Sequence, residues 1–103
     1  MNIKCNNQNT SFGTLVPAKP LIKAALGYPT FEEAKSLNLS IGVKYSGHIG
    51  FHKRAIKIAN EICTKNENFN TLIKNLKKIP KDTRENEINN IISQLGEQLD
   101  VLI

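Results

Sequence analysis

The sequence predicts an α+β fold in which a small sheet of three to four short strands packs against three main helices, with a helical C-terminal half. Two patterns predict it. Apolar residues recur every three or four positions through most of residues 51–95, as on helices with one buried face. Between Leu39 and Tyr45 they alternate with Ser, Gly and Lys, as on a half-buried strand. The chain has 103 residues and no internal repeat, so we predict one domain over residues 1–103.

The N-terminal residues predict short elements. Residues 1–5 and 11–16 favour two short strands separated by a polar loop. Pro20 suits the first position of a helix, and Gly27 suits the residue that follows a helix end. A short helix is therefore predicted between Pro20 and Gly27.

Thr30 and Glu33 give the clearest local signal in the chain. A threonine cap with a glutamate three residues later can form a capping box, in which each side chain accepts a hydrogen bond from the other residue's backbone N–H. The helix that starts there is expected to be brief, ending near Ser36. The strand predicted over Leu39–Tyr45 follows it.

Three longer amphipathic helices are predicted in the C-terminal half. Their expected ranges are His48 or Gly50 to Thr64, Phe69 to Ile79, and Asp82 to Leu95. Pro80 ends the second of these helices because proline cannot continue one. Asp82 is expected to cap the third helix, with Glu85 completing a second capping box.

The last residues of the chain fit two patterns. Leu99, Val101 and Ile103 alternate like a strand after the stop at Gly96, whereas Leu99 and Leu102 also continue the helical stripe. We favour a C-terminal strand that pairs with the N-terminal or the central strand.

The composition sets expectations for location and for the thiols. No apolar run is long enough to span a bilayer, and the polar N-terminus lacks the apolar region of a secretory signal. A soluble cytoplasmic protein with no membrane association is therefore expected. Cys5 and Cys63 form no CxxC pair, and in a reducing compartment they are predicted to be free thiols, with Cys63 on an apolar helix face.

The chain is basic, with a formal net charge of +5 and a pI near 9.4. Such a balance can favour nucleic acid as a partner. Lysine accounts for 12 of the 14 basic residues, and asparagine and isoleucine occur 13 times each, a bias that an AT-rich genome also produces. Arginine, which reads bases and forks onto phosphates, is scarce. The candidate nucleic-acid contacts are Lys53, Arg54, Lys57, Lys74, Lys77, Lys78 and Lys81.

A plainer interpretation of these charges is internal compensation. Residues 65–81 have a net charge of +4 and residues 82–103 a net charge of −4. The two helices that they form are predicted to lie antiparallel and to neutralise each other.

A second candidate site lies at the turn that precedes the first long helix. His48 and His52 are four residues apart, the spacing of a two-histidine metal clip on one helix face. A glycine-containing turn before a helix N-terminus can also bind small anions. The candidate ligand or anion contacts are Ser46, Gly47, His48 and His52, and the candidate metal ligands are His48 and His52. Ordinary turn formation explains the same residues more simply.

The sequence leads to three hypotheses about function. The first is a non-enzymatic binding module for a protein partner or a second copy of the chain, because no catalytic dyad, triad or cofactor loop is visible. The second is a small enzyme or a metal- or anion-binding protein with its site at residues 46–52. The third is a lysine-driven nucleic-acid binder. No cofactor is predicted, and the enzyme is the less favoured class.

Overall fold

A computed structural model describes residues 13–44 and 50–102, and within them it has five helices and two strands. The elements in chain order are β1 Thr14–Pro17, α1 Ala18–Leu26, α2 Phe31–Ser40, α3 Gly50–Lys65, α4 Glu67–Lys77, α5 Lys81–Leu95 and β2 Gln98–Val101. The α+β prediction is confirmed in outline. The sheet within the described residues has two antiparallel strands, where three to four were predicted, and the strand predicted over residues 1–5 lies outside these residues.

The core forms around α1. This helix packs against the other four helices and against β1, so most of its nine residues are buried. The apolar stripes of α3 and α4 face inward as their periodicity predicts. The largest fully buried apolar side chains are Phe69, Leu21, Ile22, Leu37, Ile62, Leu76, Ile88, Leu99, Val16 and Val101.

The helix α1 begins two residues earlier than predicted. The backbone N–H of Ala18 donates to the carbonyl of Glu97 over 2.8 Å, which joins the helix start to the segment before β2. Pro20 then lies inside the first turn, where its missing N–H leaves no helical bond unmade. Gly27 ends the helix at φ 97°, a left-handed conformation that glycine adopts without strain, as predicted.

The capping box at the start of α2 is confirmed, but the helix is longer than the sequence predicts. Thr30 Oγ1 accepts from the Glu33 N–H at 3.1 Å, and Glu33 Oε1 accepts from the Thr30 N–H at 3.0 Å. The helix then continues through Ser40, so the strand predicted over Leu39–Tyr45 is wrong for its described residues.

Two features explain why α2 replaces the start of that strand. Asn38 is fully buried, and its Nδ2 donates to the carbonyls of Ala34 at 2.8 Å and Phe51 at 3.1 Å, which joins α2 to α3. Gly42, at φ 90°, ends the helix in a Schellman motif. The Gly42 N–H donates to the Leu39 carbonyl, and the Val43 N–H donates to the Asn38 carbonyl. The glycine that looked like part of an alternating strand is therefore the helix stop.

The second predicted capping box is also wrong. The helix α5 begins at Lys81 directly after Pro80, and no side chain caps it. The Pro80 carbonyl instead accepts from the N–H groups of Thr83 and Arg84. With Pro80 as the cap, Asp82 and Glu85 are the second and fifth residues of the helix, so neither has a capping-box position, and the Glu85 carboxylate pairs with lysines of α1.

The C-terminal strand is confirmed, and it pairs with β1. Val16 lies opposite Leu99 and Thr14 opposite Val101. Both members of the first pair are fully buried, so this face of the two-stranded sheet contributes to the core.

Gly13, just before β1, tests this pairing. A Cβ atom at this position would meet the Asp100 carboxylate and would lie 2.7 Å from the Val101 carbonyl. The carboxylate can rotate away, but the carbonyl is fixed by the strand pairing. We expect Gly13→Ala to lower the free energy of unfolding by roughly 1–2 kcal/mol, measured by chemical denaturation. The control is Leu15→Ala at an exposed position of β1, and equal losses in the two variants would contradict close strand contact at Gly13.

Candidate functional site

Positive charge is concentrated between Gly50 and Lys81, which we call the basic segment. It contains eight basic and two acidic residues, a net charge of +6, whereas the rest of the chain has six basic and seven acidic residues. All seven candidate nucleic-acid contacts lie in this segment, and each of their side chains is exposed. The net charge of the protein therefore comes from α3, α4 and the residues up to Lys81.

The outer side of α3 is the most sharply defined part of the basic segment. Lys53 and Lys57 are one helical turn apart, opposite the stripe that is buried in the core. Together with Ile56, Asn60, Glu61 and Thr64, they form the outward side of this helix. Like charges at this spacing destabilise a helix by about 0.2–0.5 kcal/mol, a cost that an anion bound between them would remove.

The lysines of α4 continue the basic character beside α3. Lys74 and Lys78 are one turn apart and exposed. Burial raises the pKa of the Cys63 thiol on α3, and the charge of Lys77 partly offsets this increase. The helices α3 and α4 also pack against each other.

Two carboxylates, those of Glu33 and Glu85, pair with lysines of α1 rather than with the basic segment. Glu85 Oε2 is 2.8 Å from Lys19 Nζ, and Glu85 Oε1 is 3.6 Å from Lys23 Nζ. Lys23 Nζ is also 3.6 Å from Glu33. The pKa of the Glu85 carboxyl is lowered, mainly by the hydrogen bond from Lys19 and also by the charges of Lys23 and Lys19.

These pairs do not follow the compensation predicted between the basic and acidic helices. In residues 13–44 and 50–102 no ion pair joins α4 to α5, and Glu85, the acidic residue of α5 that does form ion pairs there, is bound to α1. Lys53, Arg54 and Lys57 likewise have no carboxylate within ion-pair distance in this part of the chain.

Arg84 lies near the basic segment but is turned into the fold. Its Nε and Nη2 donate to the Ile79 carbonyl at 3.2 and 2.8 Å, and its Nη1 donates to Tyr28 Oη at 3.1 Å. Lys81 Nζ lies over the same tyrosine ring, 4.7 Å from its centroid. Arg84 therefore joins the end of α4 to the turn after α1, and its guanidinium is already occupied by the protein.

His52 is held in a defined orientation. Its Nε2 donates to the Pro29 carbonyl at 3.1 Å, because a carbonyl oxygen can only accept. A histidine that binds a metal commonly donates its other nitrogen to a carbonyl in this way. Three of the candidate residues, Ser46, Gly47 and His48, lie outside the described residues. Among the described residues, no group of three His, Cys, Asp or Glu side chains could hold a metal ion. The histidine clip and the anion site at residues 46–52 stay predictions.

Phe31 is a surface residue that the sequence analysis did not select. It is the first residue of α2, and 43% of its surface is exposed although its ring contacts those of Phe51 and His52. Its position directly after the Thr30 cap could have indicated this partial exposure, because a residue at a helix start lies at the margin of the buried stripe.

Comparisons with protein-family models, curated proteins and solved structures found no match to this chain. None of the helices in residues 13–44 and 50–102 combines the length and the apolar character needed to cross a membrane.

Proposed function

We propose that this protein is a non-enzymatic binding module whose basic segment contacts the phosphate backbone of a nucleic acid. The observation that supports the proposal most is the concentration of net positive charge, +6, in residues 50–81. Its lysines are exposed, whereas Lys19 and Lys23 elsewhere are paired with carboxylates.

The chemistry of this segment favours binding without reading of sequence. Lysine acts on phosphate as a mobile point charge, whereas arginine provides the planar fork that recognises a guanine edge. Of the two arginines, Arg84 is bound within the fold and only Arg54 is exposed on the basic segment. Affinity should come mainly from release of counterions and should fall steeply as salt is added.

A protein partner or a second copy of the chain is the second proposal. Three leucines support it because each remains about half exposed, namely Leu15, Leu39 and Leu102. Single exposed apolar residues are common on monomers, so this observation supports the proposal less strongly than the charge pattern supports the first.

The nucleic-acid proposal predicts a salt dependence that two lysines control. Wild-type protein should bind a labelled single strand of about 20 nucleotides, with affinity falling about tenfold or more between 50 and 200 mM salt. In Lys53→Gln/Lys57→Gln, the slope of log affinity against log salt should decrease in magnitude by about 1.4, because two phosphate contacts are lost. Fluorescence anisotropy measures both quantities.

Lys44→Glu is the matched control. It changes the net charge by the same two units, but Lys44 is an exposed residue outside the basic segment. Its slope should equal that of wild type. Equal slopes for the double variant and the control, or affinity that does not respond to salt, would contradict the proposal. Equally effective competition by polyglutamate would assign the segment to an acidic protein instead.

A further inference from the structure

Phe31 has an aromatic ring that is only partly buried in the core. The capping box fixes the backbone at this residue, and the ring meets Phe51 edge to face, with centroids 5.9 Å apart and an angle of 62° between the planes. Phe51 is buried, but Phe31 is 43% exposed. A rigid backbone therefore holds a partly exposed ring at the surface.

The surroundings of this ring carry charges of both signs, because Glu32 and Glu33 lie directly after it in the first turn of α2. The Phe31 and His52 ring centroids are 6.3 Å apart, and the hydrogen bond to the Pro29 carbonyl orients the imidazole. Lys53 follows His52 directly in the chain and begins the outer side of α3. Lys35, exposed and one turn after Phe31, lies about 6 Å away between Cβ atoms on α2. The ring thus packs on the first turn of α3, at the N-terminal end of the basic segment.

We infer that Phe31 stacks against an unpaired base, so that the protein binds single strands in preference to duplex; this rests on the proposed function. Proteins that bind single strands combine a basic path for the backbone with aromatic rings on which bases stack. The bases of a duplex are already stacked on each other and cannot reach such a ring. Phosphate contacts alone do not make this distinction, whereas a partly exposed ring at the start of the basic segment does.

The test compares single-stranded and duplex DNA of the same length at one salt concentration. Phe31→Ala should weaken binding of the single strand about fivefold or more and leave duplex affinity and salt slope unchanged. Phe31→Leu keeps an apolar contact with Phe51 but removes the ring, and should show the same loss if Phe31→Ala folds poorly. Leu39→Ala, at another exposed apolar position of α2, should bind like wild type.

Phe31→Trp gives a direct readout of stacking. The chain has no tryptophan, so the new side chain would be its single indole fluorophore. Its emission should be quenched by the single strand and not by duplex, with single-strand affinity retained. Unchanged single-strand binding in both Phe31→Ala and Phe31→Leu, or equal losses for the two forms of DNA, would overturn the inference. If Lys53→Gln/Lys57→Gln still weakens binding in that case, the proposed function stands and only the stacking role of Phe31 is wrong. If the wild-type protein binds neither the single strand nor the duplex, both the stacking role and the proposed function are wrong.

Discussion

Replacing Phe69 by alanine is expected to lower the free energy of unfolding by about 3–5 kcal/mol. Phe69 lies in the first turn of α4, has no exposed surface and is among the largest buried side chains of the described residues. Alanine would remove the ring from a core that can only partly close around the space. A domain of this size is stable by roughly 5–15 kcal/mol, so the variant should lose a large part of its stability.

Urea denaturation, monitored by circular dichroism, measures this loss. Phe31→Ala makes the same chemical change at a partly exposed position and should cost about 1 kcal/mol or less, mainly the ring contact with Phe51. Similar losses in the two variants would contradict the difference in burial between these phenylalanines. A small loss for Phe69→Ala would mean that α4 does not pack on the core through this residue.

Phe69 also illustrates what the sequence could predict. Its spacing with Leu72, Ile73 and Leu76 predicts a helix with one apolar face, and all four side chains are buried on that face. The same holds for α3, where the spacing of Phe51, Ile58 and Ile62 identifies the inward side. Burial of apolar area turns the apolar faces of α3 and α4 inward, and the period of the apolar pattern indicates which side of each helix is buried.

The failed predictions share a physical cause. The strand expected from Leu39 did not form because Asn38 finds a hydrogen-bond partner at Phe51, on the following helix. The cap expected from Asp82 and Glu85 did not form because the helix begins earlier, at Lys81, and the Glu85 carboxylate instead binds Lys19, 66 positions earlier in the chain. In each case a local pattern competes with a partner that only folding brings near, and neighbouring residues hold no information about that partner.

The candidate site divides in the same way. Exposure of Lys53 and Lys57 follows from their place opposite an apolar stripe, so the sequence could predict it. The pairing of Glu85 with α1 rather than α4 could not be predicted, and in the described residues no carboxylate of α5 lies within ion-pair distance of the α4 lysines. The surface role of Phe31 depends on how α2 meets α3, which is again a tertiary contact.

Replacing Arg84 by alanine is expected to lower the free energy of unfolding by about 2–3 kcal/mol. The Arg84 guanidinium donates to the Ile79 carbonyl, to the Lys77 carbonyl and to Tyr28 Oη, and it lies 5.9 Å from the centroid of the Tyr28 ring. Without it, the partly buried carbonyl of Ile79 loses a charged donor, and Tyr28 Oη loses the Arg84 donor that connects it to the end of α4.

Arg84→Lys is the informative control. An ammonium group keeps the charge but has no planar fork, so it cannot donate to Ile79 and Tyr28 at the same time. It should recover less than about half of the stability that Arg84→Ala loses, measured by the same urea denaturation. Full recovery would show that charge alone matters at this position. Both variants, once folded, should keep the wild-type salt slope for nucleic acid, because the structure binds this guanidinium internally. A flatter slope with unchanged stability would instead place Arg84 among the phosphate contacts.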